Sequence, residues 1–134
     1  MNHREVRKVF LVHWIMAGIL GLVLWVIPGR FLQALGWAPI DPILSRLLGA
    51  ALLALGWASF LGWRAKAGAC TGALIQMELV YTVLGAVAVL RHLLVAHWPW
   101  MVWLLFVVLA GWAVAWAWCA LWGMRRQGDA PTSA

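Results

Sequence analysis

One carboxylate, Glu78, lies in the middle of a long apolar stretch of this chain. It lies about ten residues after the start of that stretch. At the rise per residue of an α-helix, this is roughly 15 Å from the end of the stretch. A bare carboxylate at such a depth in hydrocarbon costs on the order of a few kcal/mol. Glu78 must therefore be neutral, be paired with another group, or face a wet cavity.

Other polar side chains share the helical face of Glu78. Tyr81 and Thr82 follow it by one helical turn, and Thr71 precedes it by two. Residues with this spacing lie on one side of a helix, so an otherwise apolar helix carries a polar stripe. The stripe is the first part of a candidate intramembrane polar site.

His13 is the natural partner for Glu78 on another helix. It lies roughly 8 Å deep from the same side, so its depth differs from that of Glu78 by about 7 Å. Side chains or one water bridge such a gap if the helices touch. Arg46 is the alternative partner, but its gap is about 11 Å and an arginine extends outward more easily than inward. Two hypotheses follow: a proton or cation site built on Glu78 and His13, and a buried hydrogen-bond cluster that holds the helix register.

The remaining histidines and cysteines point to no metal or redox centre. His92 and His97 flank an expected turn at a spacing that matches no ligand motif, and we predict a solvated loop pair. Cys70 and Cys119 form no C-x-x-C motif and are expected to be small packing residues. His13 has no second intramembrane histidine at its depth, which disfavours a bis-histidine haem. We predict no catalytic residue, no metal and no cofactor, with quinone or haem as open alternatives.

Four apolar runs carry these residues. Hydrophobic residues make up 66% of the chain and charged residues 10%, with a mean hydropathy of +0.91, so lipid must surround most side chains. We expect one domain over residues 1–134, an all-α, antiparallel up-down bundle of four transmembrane helices with short loops. The predicted spans and the polar tail cover about 9–27, 43–63, 67–90, 99–122 and 127–134.

Proline and glycine mark the ends of the first two spans. Pro28 and Gly29 should stop the first span, because proline lacks an N–H and glycine favours a turn. The amphipathic piece Phe31–Trp37 predicts a short helix at the membrane interface. Asp41 and Pro42 should begin the second span, since aspartate is a good N-cap and proline suits the first helical position.

The basic residues predict an orientation. The net charge is +6, and seven of the ten Lys and Arg residues fall on one side of the predicted membrane. The positive-inside rule then places both termini in the cytoplasm of a bacterial inner membrane, beside anionic lipid headgroups. No basic stripe is interleaved with exposed aromatics, which excludes nucleic-acid binding. The seven residues are Arg4, Arg7, Lys8, Arg64, Lys66, Arg125 and Arg126.

Tryptophans and small residues suggest how the helices meet lipid and each other. Most of the twelve tryptophans, Trp116 among them, predict two interfacial belts. Trp57 and Trp112 fall deeper and are expected to pack against neighbouring helices. Small residues at helix-contact spacing predict contacts within the bundle, which we favour, or a surface that docks another protein. These small residues are Ala50 and Ala54, Gly68 and Gly72, and Gly111, Ala115 and Cys119.

Two stretches of the first half suggest a family. They are Pro28-Gly29-Arg30-Phe31-Leu32 leading to Leu35-Gly36-Trp37, and Asp41-Pro42 followed by Arg46-Leu47-Leu48-Gly49-Ala50, Leu52, Leu55 and Gly56. Together they resemble the DoxX-like group of small four-helix bacterial membrane proteins, over roughly the first two spans. The resemblance implies the four-helix fold. Some members of that group are linked to quinone-coupled sulfur oxidation, but no residue here carries over as catalytic.

We expect a non-catalytic role for this chain. Its loops leave little room for a soluble active site, so an accessory or structural subunit that stabilises or assembles a larger membrane complex is the first hypothesis. A homo-oligomer is the alternative form of association. The second is a small proton- or cation-coupled transporter or channel that uses Glu78. The third is a quinone- or haem-associated membrane redox protein.

Overall fold

A computed structural model describes residues 3–37, 41–65, 69–95 and 98–128. Within these residues the chain forms five α-helices and no strand. Four of them are long and apolar enough to cross a membrane, which confirms the all-α transmembrane bundle. The helices are α1 (His3–Val26), α2 (Pro28–Ala34), α3 (Pro42–Arg64), α4 (Ala69–Val95) and α5 (Trp100–Gly128).

The helix ends differ modestly from the expected spans. α1 begins at His3 instead of near residue 9, and α5 continues to Gly128, so the helix includes the first two residues of the expected tail. Residues 129–134 lie outside the described part. The short helix expected after the first span is α2, with Pro28 in its first turn. The positive φ of 71° at Gly36 lets the chain turn away after it.

Asp41 and Pro42 start α3 as expected. The Asp41 Oδ1 atom accepts hydrogen bonds from the backbone N–H of Ile43 at 2.8 Å and of Leu44 at 3.1 Å. These two N–H groups have no acceptor inside the helix, and lipid offers none, so the carboxylate supplies their hydrogen bonds. The cap therefore defines where the second span enters the membrane.

The four long helices form two antiparallel pairs. α1 packs mainly against α3 and α4 mainly against α5, and contacts between the pairs are fewer. Arg7, near the start of α1, donates through Nε to the backbone oxygen of Trp63 at the end of α3 at 2.8 Å. Gly21 and Gly49 let the other ends of α1 and α3 approach closely, since a Cβ on Gly49 would lie 2.8 Å from the Gly21 oxygen.

The prediction that the small residues of α3, α4 and α5 make internal contacts is largely wrong. Ala50 and Ala54 are exposed, and a Cβ on Gly72 or Gly111 would meet nothing within 4 Å. Of the three others, Cys119 is buried, Ala115 is half-buried and Gly68 lies outside the described residues. The close helix contacts instead use glycines on another face of α3 (Gly49, Gly56 and Gly62).

Several aromatic and sulfur-containing side chains also depart from expectation. Trp116 was expected at the interface but is fully buried, at 0% exposed, in a core cluster with Phe10, Ile75 and Cys119. Trp57 was expected between helices but is 60% exposed. Cys119 packs in the core as expected, whereas Cys70 is exposed.

The α1–α3 contact generates a stability prediction. Gly49→Ala places a Cβ against backbone atoms of α1, so the two helices must separate. We expect the free energy of unfolding in detergent micelles to fall by about 1–3 kcal/mol, measured by circular dichroism during denaturant titration. The control is Gly111→Ala, whose Cβ has open space and whose helix propensity rises by up to about 1 kcal/mol. Equal losses for both variants would contradict the close contact.

Candidate functional site

Three polar side chains from three different helices form a hydrogen-bonded chain in the bundle interior. His13 Nδ1 on α1 lies 2.8 Å from Ser59 Oγ on α3, and the Ser59 hydroxyl donates to Glu78 Oε1 on α4 at 2.8 Å. The direct distance between His13 Nδ1 and Glu78 Oε1 is 3.5 Å. We call His13, Ser59 and Glu78 the polar triad.

The polar triad is sealed from solvent. Ser59 and Glu78 are 0% exposed and His13 is 6% exposed. The triad also spans the boundary between the two helix pairs, because His13 and Ser59 belong to the α1–α3 pair and Glu78 to the α4–α5 pair. Where contacts between the pairs are fewer, a buried polar link contributes strongly to their alignment.

Proton counting defines the hydrogen bonds of the triad. A serine hydroxyl has a single proton to donate. When Ser59 donates that proton to an ionised Glu78, His13 Nδ1 carries a proton and donates it to Ser59 Oγ. When Glu78 is protonated and donates to Ser59, the Ser59 hydroxyl donates instead to an unprotonated His13 Nδ1.

Two aromatic residues of α5 enclose His13. The ring centroid of His13 lies 4.7 Å from that of Trp112 and 5.5 Å from that of Trp116, both edge to face. The indoles themselves stack at 5.9 Å. All four transmembrane helices thus contribute to the cluster, three through polar atoms and α5 through indole rings.

Two buried polar atoms at or beside the triad have no hydrogen-bond partner among the residues that the structure describes. They are Glu78 Oε2 and the indole nitrogen of Trp116. A buried acceptor without a donor costs about 1–3 kcal/mol, and more if it is charged. The bundle therefore tolerates an incompletely satisfied carboxyl group at its centre, a feature concentrated at functional sites in membranes.

A hydrophobic plug closes the triad from the N-terminal end of α1. Phe10 lies one turn before His13, is 0% exposed and contacts Trp116 with centroids 4.9 Å apart. Its ring fills the space beside Gly62 on α3, where a Cβ would lie between 2.5 and 2.7 Å from three ring atoms. Glycine at this position is what admits the aromatic ring.

The other residues of the expected polar site take different roles. The Thr82 hydroxyl donates to the backbone oxygens of Glu78 at 2.8 Å and Leu79 at 3.1 Å, so it bonds its own helix and not the carboxylate. Tyr81 and Thr71 are half-buried on α4. Arg46, the alternative partner, is exposed near the start of α3.

Sequence reasoning missed Ser59, the central member of the triad. The available signal was its register on α3, because Ser45, Gly49, Gly56, Ser59 and Gly62 are the small residues buried on one face of that helix. The spacing of Ala50 and Ala54 instead predicted that a different face of α3 makes the helix contacts. Trp116 was likewise assigned to the membrane interface, although it lies only one helical turn from Trp112, which was expected to pack against neighbouring helices.

The site does not suit a haem or a metal ion. Among the described residues no group of three or more His, Cys, Asp and Glu side chains could hold a metal. His13 has one nitrogen engaged by Ser59 and two indoles against its ring, so a macrocycle would have to displace Trp112 and Trp116. The quinone version of the redox hypothesis stays a prediction.

A separate cleft lies at the other end of the bundle. It has a volume of about 260 Å³ and is bordered by Trp37, His92 and Trp98 with apolar residues of α4 and α5. His92 lies in the last turn of α4 and not in a loop as expected, with its Nδ1 2.9 Å from the backbone oxygen of Ala88. The Trp98 indole donates to the His92 oxygen at 3.0 Å. His97 lies outside the described residues.

Comparison with known proteins yields no match among family models, curated proteins or solved structures. The resemblance to the DoxX-like group therefore stays a prediction.

The central position of Ser59 predicts a specific loss of stability. Ser59→Ala removes the group that joins His13 to Glu78 and leaves two buried polar atoms 3.5 Å apart. We expect the free energy of unfolding in micelles to fall by about 1–3 kcal/mol. Ser45→Ala on the same helix is the control, because Ser45 donates only to the backbone oxygen of Asp41 within its own first turn. Equal losses of unfolding free energy in Ser59→Ala and Ser45→Ala would contradict a stabilising role of the triad.

Proposed function

We propose that this chain is a non-catalytic membrane protein that acts as an accessory subunit by docking a transmembrane helix of a larger complex. The observation that carries the proposal is an exposed stripe along the outer face of α3. The stripe consists of Leu47, Ala50, Ala54, Trp57 and Leu61. We call it the α3 outer stripe.

The spacing of the α3 outer stripe suits a helix partner. Its members alternate by three and four residues, the heptad pattern in which side chains of one helix fit between those of another. Leu47, Trp57 and Leu61 are 61%, 60% and 47% exposed. The small side chains of Ala50 and Ala54 at its centre would let a second backbone approach closely, which favours association within lipid.

Trp57 adds a chemical reason for a partner. It lies about 10 Å from the Arg64 end of α3 along the helix axis, and its ring contacts the Phe60 ring of the same helix, with centroids 5.3 Å apart. Hydrocarbon offers no acceptor for an indole N–H. A partner helix with a hydroxyl or carbonyl oxygen at this depth would supply one.

We also propose in which membrane the chain lies and on which side its termini are. Seven of ten basic residues lie on the side of the N-terminus, the α3–α4 turn and the C-terminal segment. This asymmetry supports a bacterial inner membrane with both termini cytoplasmic, where the basic residues contact anionic headgroups. The short connections leave the transmembrane faces as the main surface for association.

The proposal predicts co-migration with larger subunits. The chain is extracted from its native membrane in mild detergent, separated on a native gel, and its companions are identified by mass spectrometry. We expect a stable complex that Ala54→Leu largely dissociates, because the larger side chain holds the partner backbone away. Ala73→Leu, at an exposed position of α4, is the matched control and should leave the complex intact. Migration as a monomer or small homo-oligomer would overturn the accessory role.

Proton- or cation-coupled transport is the second candidate, favoured by the unpartnered Glu78 Oε2 between the helix pairs. The purified chain is reconstituted in vesicles that hold a pH-sensitive dye, and a potassium gradient with valinomycin sets the membrane potential. A transporter or channel would give a proton flux that Glu78→Gln abolishes, since the amide cannot release a proton. A flux equal to that of empty vesicles would remove this candidate.

A further inference from the structure

Few ionisable groups surround the polar triad. Within the described residues, α1 contributes His13, α4 contributes Glu78 and the nearby Tyr81, and α5 contributes the thiol of Cys119 in the adjoining core cluster. α3 contributes the Ser59 hydroxyl and no ionisable side chain. No lysine or arginine lies among these residues to neutralise Glu78.

The charge of the triad therefore depends on one proton. If His13 is neutral and Glu78 ionised, the cluster holds a buried negative charge, which is costly in a low-dielectric interior. One added proton makes the cluster neutral overall, either as a His13 cation with a Glu78 carboxylate or as two neutral groups. Binding of that proton thus removes a buried net charge.

Both neutral forms fit the same heavy-atom positions. In one, the His13 cation donates through Nδ1 to Ser59 Oγ, and the Ser59 hydroxyl donates to Glu78 Oε1. Transfer of the Nδ1 proton to Oγ, as the Ser59 proton moves to Oε1, leaves a lone pair on Nδ1 and a carboxylic acid at Glu78. The new acid then donates to Ser59 and Ser59 to His13, so both 2.8 Å contacts persist.

We infer that the polar triad is a binding site for one exchangeable proton, held between His13 and Glu78 and relayed by Ser59. Water at the membrane surface supplies the proton and receives it on release. The unpartnered Oε2 of Glu78 gives the ionised carboxylate a free position for a hydrogen-bond donor such as water.

We expect the proton to enter and leave the triad on the His13 side. His13 is the member of the triad with measurable exposure, 6%, whereas Ser59 and Glu78 have none. Phe10 covers the approach to His13 from the N-terminal end of α1, with its ring between Trp116 and Gly62. Exchange of the bound proton should therefore be slow in the native chain and faster when the Phe10 side chain is shortened.

Infrared difference spectroscopy of the full chain in phosphatidylcholine vesicles tests the inference. On stepwise acidification we expect a protonated-carboxyl band to grow, to shift in deuterium oxide, and to disappear in Glu78→Gln. Ser59→Ala should shift the frequency of the band, since the carboxyl group loses its hydrogen-bond partner. Glu5→Gln is the control, because Glu5 is an exposed carboxylate paired with Lys8 at 2.9 Å, and the band should remain.

The rate of deuterium exchange of the same band provides an independent measurement. Phe10→Ala should raise this rate several-fold, while Val114→Ala, at a 70% exposed position of α5, should leave it unchanged. Acidification that produces neither the carboxyl band nor the bands of a His13 cation, or a carboxyl band that survives Glu78→Gln, would overturn the inference. If Glu78→Gln fails to fold, judged by circular dichroism, an unshifted band in Ser59→Ala overturns it instead. These results do not depend on whether the chain docks a partner or conducts protons.

Discussion

A carboxyl group inside a lipid bilayer must find its hydrogen bonds within the protein, because hydrocarbon supplies none. In this bundle the Ser59 hydroxyl, from another helix, meets this requirement at Oε1 of Glu78. Glu78 belongs to one helix pair, whereas Ser59 and His13 belong to the other. The hydrogen bond to this one carboxyl group thus aligns the two helix pairs, which otherwise make few contacts with each other.

The two kinds of helix contact differ in physical origin. Within the α1–α3 pair, Gly21 and Gly49 allow close approach of the backbones, and the stabilisation comes from van der Waals contact. Between the pairs, the polar triad and the indoles of α5 make the connection. Contacts of the first kind involve no ionisable side chain, whereas those of the second kind include the proton site that we infer.

The outer surface of the bundle is as informative as its interior. Helices in lipid associate through small residues, and α3 has such residues on two faces, one used inside the bundle and one exposed. The exposed face also holds Trp57, which is 60% exposed. An accessory role and a proton site use different faces of the same chain and are therefore compatible.

The sequence by itself determined the four spans, the cap at Asp41, and the similar depths of His13 and Glu78. These features are local, because the length of an apolar run and the residues at its ends decide where a helix crosses the membrane. Only the tertiary structure decided which face of each helix points inward. It placed Ser59 beside Glu78, buried Trp116 and exposed Ala50 and Ala54. In a soluble protein, hydrophobicity marks the inner face, but lipid is as apolar as the core, so the register of helix contacts comes from the fit of side chains across helices.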